Sequence, residues 1–181
     1  LDAISRAKDG GAYTYQLDGV KFLSSHENCL LADDMGLGKT LQALMAIEEG
    51  GRAIVICPAT LKLNWANEVR KWRSDLSPVV CKGRKGFKLP QANEVVIINY
   101  DILPTEMTPT DKWGEDSENV PQAWRDVLAQ TTLIADEAHL CKSHKAMRSK
   151  RTKVLSNLCQ RSWAMTGTPL LSKGFDLWGV V

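Results

Sequence analysis

Two short segments of this sequence concentrate the groups needed for phosphate chemistry. Asp33-Asp34-Met35-Gly36-Leu37-Gly38-Lys39-Thr40 follows the apolar run Cys29-Leu30-Leu31-Ala32 and precedes a helix-forming stretch from Leu41 to Glu49. Glycines at 36 and 38 let backbone N–H groups turn inward without a Cβ clash, as a phosphate-cradling loop requires. The helix start behind the loop adds the positive end of its dipole, Lys39 can reach β- and γ-phosphates, and Thr40 can place its hydroxyl on Mg²⁺. Asp34, Met35, Gly36, Leu37, Gly38, Lys39 and Thr40 are therefore candidate nucleotide-binding residues. The second segment, Leu133-Ile134-Ala135-Asp136-Glu137-Ala138-His139, is an apolar strand that ends in adjacent carboxylates. At the C-terminal edge of a sheet, Asp136 would hold Mg²⁺ through water while Glu137 orients and deprotonates an attacking water. Lys39, Asp136 and Glu137 are the candidate catalytic groups, and Thr40 and Asp136 the candidate metal contacts. Each segment alone has a bland alternative, a glycine turn or an acidic helix cap. A strand, a loop and a helix in the required order, with a carboxylate pair downstream, make both alternatives poor.

The elements that must position these residues follow from the apolar patterning. Short apolar runs at Cys29–Asp33, Ala53–Cys57, Val79–Cys81, Val95–Asn99, Leu133–Asp136 and Trp163–Thr166 alternate with helix-type stretches at Lys39–Glu49, Leu61–Arg73, Gln122–Ala129 and Met147–Leu158. That alternation predicts an α/β fold with a mostly parallel sheet covered by helices on both faces. Within Leu61–Arg73, an apolar stripe of Leu61, Trp65, Val69 and Trp72 should face the sheet, leaving Lys62, Arg70, Lys71 and Arg73 elsewhere. Trp65 and Trp72 then read as core rather than as base-stacking residues. Leu103–Pro121, with three prolines and many acids, reads as a long surface loop or insertion.

Bulk composition narrows the class further. The 181 residues are 44% hydrophobic and carry a net charge of +2, with no apolar stretch near the roughly 18 residues that suggest a membrane span. One domain with a sizeable core is expected. Both ends, at Leu1 and Val181, look like cuts from a longer chain. Five cysteines, an odd count without a C-x-x-C pair, fit a reducing intracellular compartment. Charge is uneven: Lys142, Lys145, Arg148, Lys150, Arg151 and Lys153 form an acid-free run, whereas Glu106, Asp111, Glu115, Asp116 and Glu118 gather in the insertion. Local basic patches of this kind can bind nucleic acid despite a near-neutral total, although a solvated helix face explains the run equally well.

Three further segments carry a family resemblance. Tyr15-Gln16-Leu17-Asp18-Gly19-Val20 precedes the glycine loop, Pro58-Ala59-Thr60-Leu61-Lys62-Leu63-Asn64-Trp65 follows the second strand, and Thr166-Gly167-Thr168-Pro169 follows the last. With the two phosphate segments, their order and wording resemble the helicase-like ATPases of superfamily two. Within these the resemblance is to the Swi/Snf family, whose motifs I, II and III look like Leu31–Thr40, Asp136–His139 and Thr166–Pro169. Asp33 is then an ordinary residue, since the family usually has Asp there. Asp34 and Ser172 stand where relatives more often have Glu and Asn.

The resemblance implies a RecA-like P-loop lobe over residues 1–181, working as the ATP-binding part of a DNA-stimulated ATPase that translocates on or remodels double-stranded DNA. It implies ATP and Mg²⁺ as cofactors and Gln16 as an adenine contact. Thr60, Lys62, Asn64 and Tyr100 would approach the DNA backbone, joined by Lys142 and Lys145 of the basic run, and His139, Thr166 and Thr168 would couple nucleotide to DNA. Nothing resembles motifs IV to VI, which the family carries with its arginine fingers on a second lobe, so that lobe is the expected partner and the isolated lobe should turn over slowly. The expected location is cytoplasmic in a prokaryote and nuclear in a eukaryote. Leu61–Trp65 leans toward the annealing-helicase branch. Two other readings stay open: an RNA helicase of DEAH or DEAD type, which typically has Ser-Ala-Thr at Thr166-Gly167-Thr168, and a nucleotide-gated binding module without turnover.

Overall fold

The computed structural model describes residues 2–141, 143 and 145–167, so the expectations for Lys142, Thr168 and Ser172 lie outside the described residues. Helices α1 (Ala3–Asp9) and α2 (Thr14–Ser24) come first. The order is then β1 (Asn28–Leu31), α3 (Lys39–Ala46), β2 (Ala53–Cys57), α4 (Lys62–Trp72), β3 (Ser77–Val80), β4 (Glu94–Asn99), α5 (Gln122–Leu128), β5 (Thr132–Asp136), α6 (Met147–Leu158) and β6 (Arg161–Met165). The strands form one six-stranded sheet in the order β1-β6-β5-β2-β4-β3, and each pairing is parallel.

Alternate residues of the central strands build two cores. Val55, Ile97, Ile134 and Trp163 pack with α1 to α4 on one face, whereas Ile54, Ile56, Val96, Ile98 and Leu133 pack with α6 and the insertion on the other. Both faces are covered, which is why β2 and β5 are buried along their whole length and why β2 and Leu133–Ala135 of β5 read as apolar runs.

Four differences from the sequence expectations have physical causes. Helices α1 and α2 have weak signals: the first is seven residues long, and the second contains Gly19, a poor helix former. Helix α3 ends at Ala46, before the expected Glu49, because Arg73 and Arg6 take its last carbonyls. Arg73 Nη1 donates to Leu44 O and Ile47 O at 2.6 and 2.7 Å, and Arg6 Nη2 donates to Ile47 O at 2.8 Å. Arg73 is thus 1% exposed rather than on the polar face, its fork also held by Asp75. Finally, residues 103–121 are irregular but anchored: Leu103, Met107, Ser117 and Val120 are buried, and Ser117 Oγ donates to Glu106 O at 2.6 Å.

Because Arg73 closes the end of the helix that starts at the glycine loop, Arg73→Ala should destabilise the protein by about 3–5 kcal/mol, the range for breaking a buried charged network. Arg73→Lys should restore only part of this, since an ammonium lacks the planar fork. Urea titrations read the effect; a shift below ~1 kcal/mol would show that Arg6 alone suffices as the cap.

Candidate nucleotide site

The loop between β1 and α3 owes its shape to Gly36 and Gly38, which sit at φ values of 85° and 75°. Gly38 is the residue just before α3 and is left-handed, so N–H groups at the helix start are presented to the same side as the loop. Lys39 Nζ donates to Asp33 O and Asp34 O at 2.8 and 2.9 Å, which leaves one ammonium hydrogen for a further acceptor. Gln42, fully buried, holds the loop from behind, with Nε2 donating to Asp33 Oδ2 at 3.1 Å and Leu37 O at 3.2 Å. Asp33, an exception to the general glycine pattern, is thereby an acceptor that fixes the loop.

Gln42 needs Gly19. A Cβ added there would land on the Gln42 carboxamide. Alanine ordinarily gains up to ~1 kcal/mol over glycine in a helix, but Gly19→Ala should instead cost about 1–3 kcal/mol by overpacking and should loosen the glycine loop. Thermal melting with and without nucleotide would test this; a stabilised variant would sink the packing argument.

Gln16 is buried against the same loop. Its Oε1 accepts from Tyr13 N at 3.0 Å and its Nε2 donates to Leu37 O at 3.3 Å. A carboxamide has two acceptor and two donor positions, so one of each is left for an adenine edge.

Across the loop, at the end of β5, Asp136 Oδ1 accepts from Glu137 N at 3.0 Å and Oδ2 accepts from Trp65 Nε1 at 2.8 Å. Tyr100 donates its hydroxyl to Asp136 O at 2.7 Å. Burial pushes the Asp136 carboxyl above the ordinary range, the Trp65 bond opposes that, and the neighbouring Glu137 charge adds to it. A half-dehydrated carboxylate beside a like charge gains from a cation placed nearby. Glu137 adopts φ 52°, in the left-handed region where a non-glycine residue is strained. Its Oε2 lies 3.1 Å from His139 Nδ1, which is 3.2 Å from Thr166 Oγ1. His139 and Thr166, both expected to couple, thus meet.

A cavity of about 410 Å³ joins these parts: Gln16, Met35, Gly36, Gly38, Lys39, Thr40, Asp136 and Glu137 all line it. Asp34 and Leu37 belong to the same loop. Trp65 was missed from the sequence as a site residue. It is core, at 1% exposure, yet its N–H reaches a candidate metal carboxylate, and only an indole's donor-only character hinted that it needed a buried acceptor.

A family profile described as the SNF2-related domain matches residues 15–181. This chain belongs to the SNF2-related domain family. It is 29% identical over 170 residues to a DNA annealing helicase and endonuclease of Bos taurus, a match covering 90% of this chain and 15% of that protein. It is 30% identical over 177 residues to a SWI/SNF-related matrix-associated actin-dependent regulator of chromatin, subfamily A-like protein, of Xenopus laevis, covering 93% of this chain and 16% of the relative. Among solved structures it matches the Sulfolobus solfataricus SWI2/SNF2 ATPase core in complex with dsDNA with a TM-score of 0.67 and 26% identity, covering 93% of this chain and 34% of that core. The chain therefore spans about a sixth of these curated relatives and about a third of the solved core. Its parallel sheet and flanking helices are the RecA-like fold of the SNF2 ATPase core.

Of the remaining candidates of this SNF2-related chain, Asn64 also lines the cavity, whereas Thr60, Lys62, Tyr100 and Lys145 do not. Thr60 and Asn64 are exposed at the start of α4, whereas Lys62 is partly buried and donates to Cys81 O at 2.9 Å. Tyr100 is 3% exposed, with its hydroxyl committed to Asp136 O, so its ring supports the site from below rather than facing outward. Lys145 and Arg148 are exposed. The basic run is not a uniform stripe, because Arg151 donates to Thr108 Oγ1 and Leu103 O and Lys153 pairs with Glu115 at 3.3 Å. Both contacts go to residues of the insertion.

Proposed function

We propose that this chain is the ATP-binding first lobe of a motor that translocates on or remodels double-stranded DNA, hydrolysing ATP to ADP and phosphate and completed by a second RecA-like lobe of the same parent protein. The observation that carries this is the shared cavity of the glycine loop, Gln16 and the Asp136-Glu137 pair. Lys39, once drawn from the carbonyls of Asp33 and Asp34, neutralises phosphate charge. Gln16 reads the adenine edge with its two remaining hydrogen-bonding positions. Glu137 orients the attacking water and takes its proton. Thr40 and Asp136 fit Mg²⁺, a hard cation usually held by one or two protein oxygens together with substrate phosphates and water; when bound, it supplies the charge that stabilises the phosphoryl oxygens. His139 and Thr166 relay the state of Glu137 to the loop after β6.

Support for DNA as the track comes from the double-stranded DNA bound to the matching Sulfolobus core and from the exposed hydroxyl, amide and ammonium groups at Thr60, Asn64 and Lys145. ATPase rates of the full-length protein with duplex DNA, single-stranded DNA and RNA should rise most with duplex. Stimulation by RNA alone would favour the RNA-helicase reading, and intact nucleotide binding without turnover on any of the three would favour a gated binding module.

A motor that moves over any sequence should contact phosphates rather than base edges. Each phosphate neutralised on duplex DNA contributes roughly −0.9 to the slope of log affinity against log salt. Lys145→Ala should therefore weaken binding to unrelated sequences alike and lower that slope by about one. Lys62→Ala should have a smaller slope effect, since its ammonium is held at Cys81 O, and Lys112→Ala, in the acidic insertion, should have almost none. A Lys145 variant with the parental slope would remove the basic run from the DNA surface.

A further inference from the structure

We propose that Trp65 is the positioning residue through which the first turn of α4 sets the metal-facing side of Asp136. This rests on the nucleotide-site reading above. Asp136 has one protein donor on each oxygen, and the two differ in kind. The Oδ1 contact comes from the next residue, Glu137 N at 3.0 Å, and travels with the strand end. The Oδ2 contact comes from Trp65 Nε1 at 2.8 Å, on a helix that follows a different strand, so it holds only while α4 stays in place.

An indole N–H is a donor and nothing else, so the bond has one direction. Trp65 is 1% exposed and packs among the residues of the core on that face, which leaves its ring no room to move independently of its helix. It lies one residue beyond Asn64 and three beyond Lys62, which is tied to the end of β3 through Cys81 O at 2.9 Å. Movement of that outer turn against a phosphodiester backbone is therefore carried to the indole N–H and from there to the carboxylate. The other described indoles make no such link where their bonds are seen. Trp72 Nε1 donates within its own helix to Glu68 at 2.6 Å, and Trp163 Nε1 donates to His26 O at 3.1 Å.

The experiment measures Mn²⁺ binding to the full-length protein by electron paramagnetic resonance, with a non-hydrolysable ATP analogue, in the presence and absence of duplex DNA. Trp65→Phe keeps an aromatic ring in the core but loses the pyrrole part of the indole together with its N–H. It should bind Mn²⁺ at least ~10-fold more weakly, the lower end of the effect of losing a group that orients a metal-holding carboxylate, and its response to duplex should fall. Affinity for the analogue without metal should stay at the parental value. Benzothienylalanine at position 65, with sulfur in place of the N–H, should behave in the same way and decides the matter if the Phe variant folds poorly. Parental Mn²⁺ affinity in both replacements overturns the proposal, and a weakened affinity whose duplex response is unchanged overturns the link to α4. Lys39→Ala serves as the separate check. If it fails to weaken analogue binding, the nucleotide-site reading itself is wrong; if it does weaken binding while position 65 has no effect on Mn²⁺, only the role of Trp65 is lost.

Discussion

Glu137→Gln should keep ATP bound and lower turnover of the full-length protein by ~10²–10⁴, the usual worth of a positioned general base. The amide preserves the shape of the side chain and its capacity to hydrogen-bond His139, now 3.1 Å from Glu137 Oε2, but it cannot accept the water's proton. Lys39→Ala should do the opposite and weaken nucleotide binding first, because Lys39 is the cationic side chain among the described residues that line the cavity. Equilibrium binding of a fluorescent ATP analogue, alongside single-turnover hydrolysis, separates the two effects. Equal loss of affinity in both variants would contradict the division of labour between loop and carboxylate.

The second large effect concerns the second lobe proposed above. Among the described residues lining the cavity there is a lysine but no arginine, and the charge that builds on a transferring phosphoryl group needs more than one cation. An arginine finger is worth about 10³–10⁵ in rate in related P-loop enzymes. Residues 1–181 alone should therefore bind ATP·Mg²⁺ weakly and, if the proposed second lobe supplies that cation, hydrolyse it slower than the full-length protein by a factor of that order. Steady-state phosphate release from both, with light scattering to exclude dimers, makes the comparison. A monomeric fragment with the full rate would show that one lobe holds the whole catalytic set, and the second lobe would then serve only the track.

Sequence alone determined the parts of this protein whose physics is local. The loop Asp33–Thr40 announces itself because glycine adopts the left-handed backbone of Gly36 and Gly38 without strain and because a lysine and a hydroxyl follow at fixed reach. The strands were legible for a similar reason: a parallel strand covered on both faces has no polar side, so β2 and the Leu133–Ala135 stretch of β5 are apolar runs. Tertiary structure decided whatever depends on a partner distant in the chain. Arg73 reads as a polar helix position, yet it is buried because the carbonyls at the end of α3 needed donors. Lys62 reads as a free cation, yet Cys81 O holds it, and one arginine and one lysine of the basic run are taken by the insertion. Gly19 gives no hint that it makes room for Gln42. Trp65 shows its spacing but not its acceptor, since periodicity reports which way a side chain points and not which buried carboxylate, 71 residues away, its single N–H will meet.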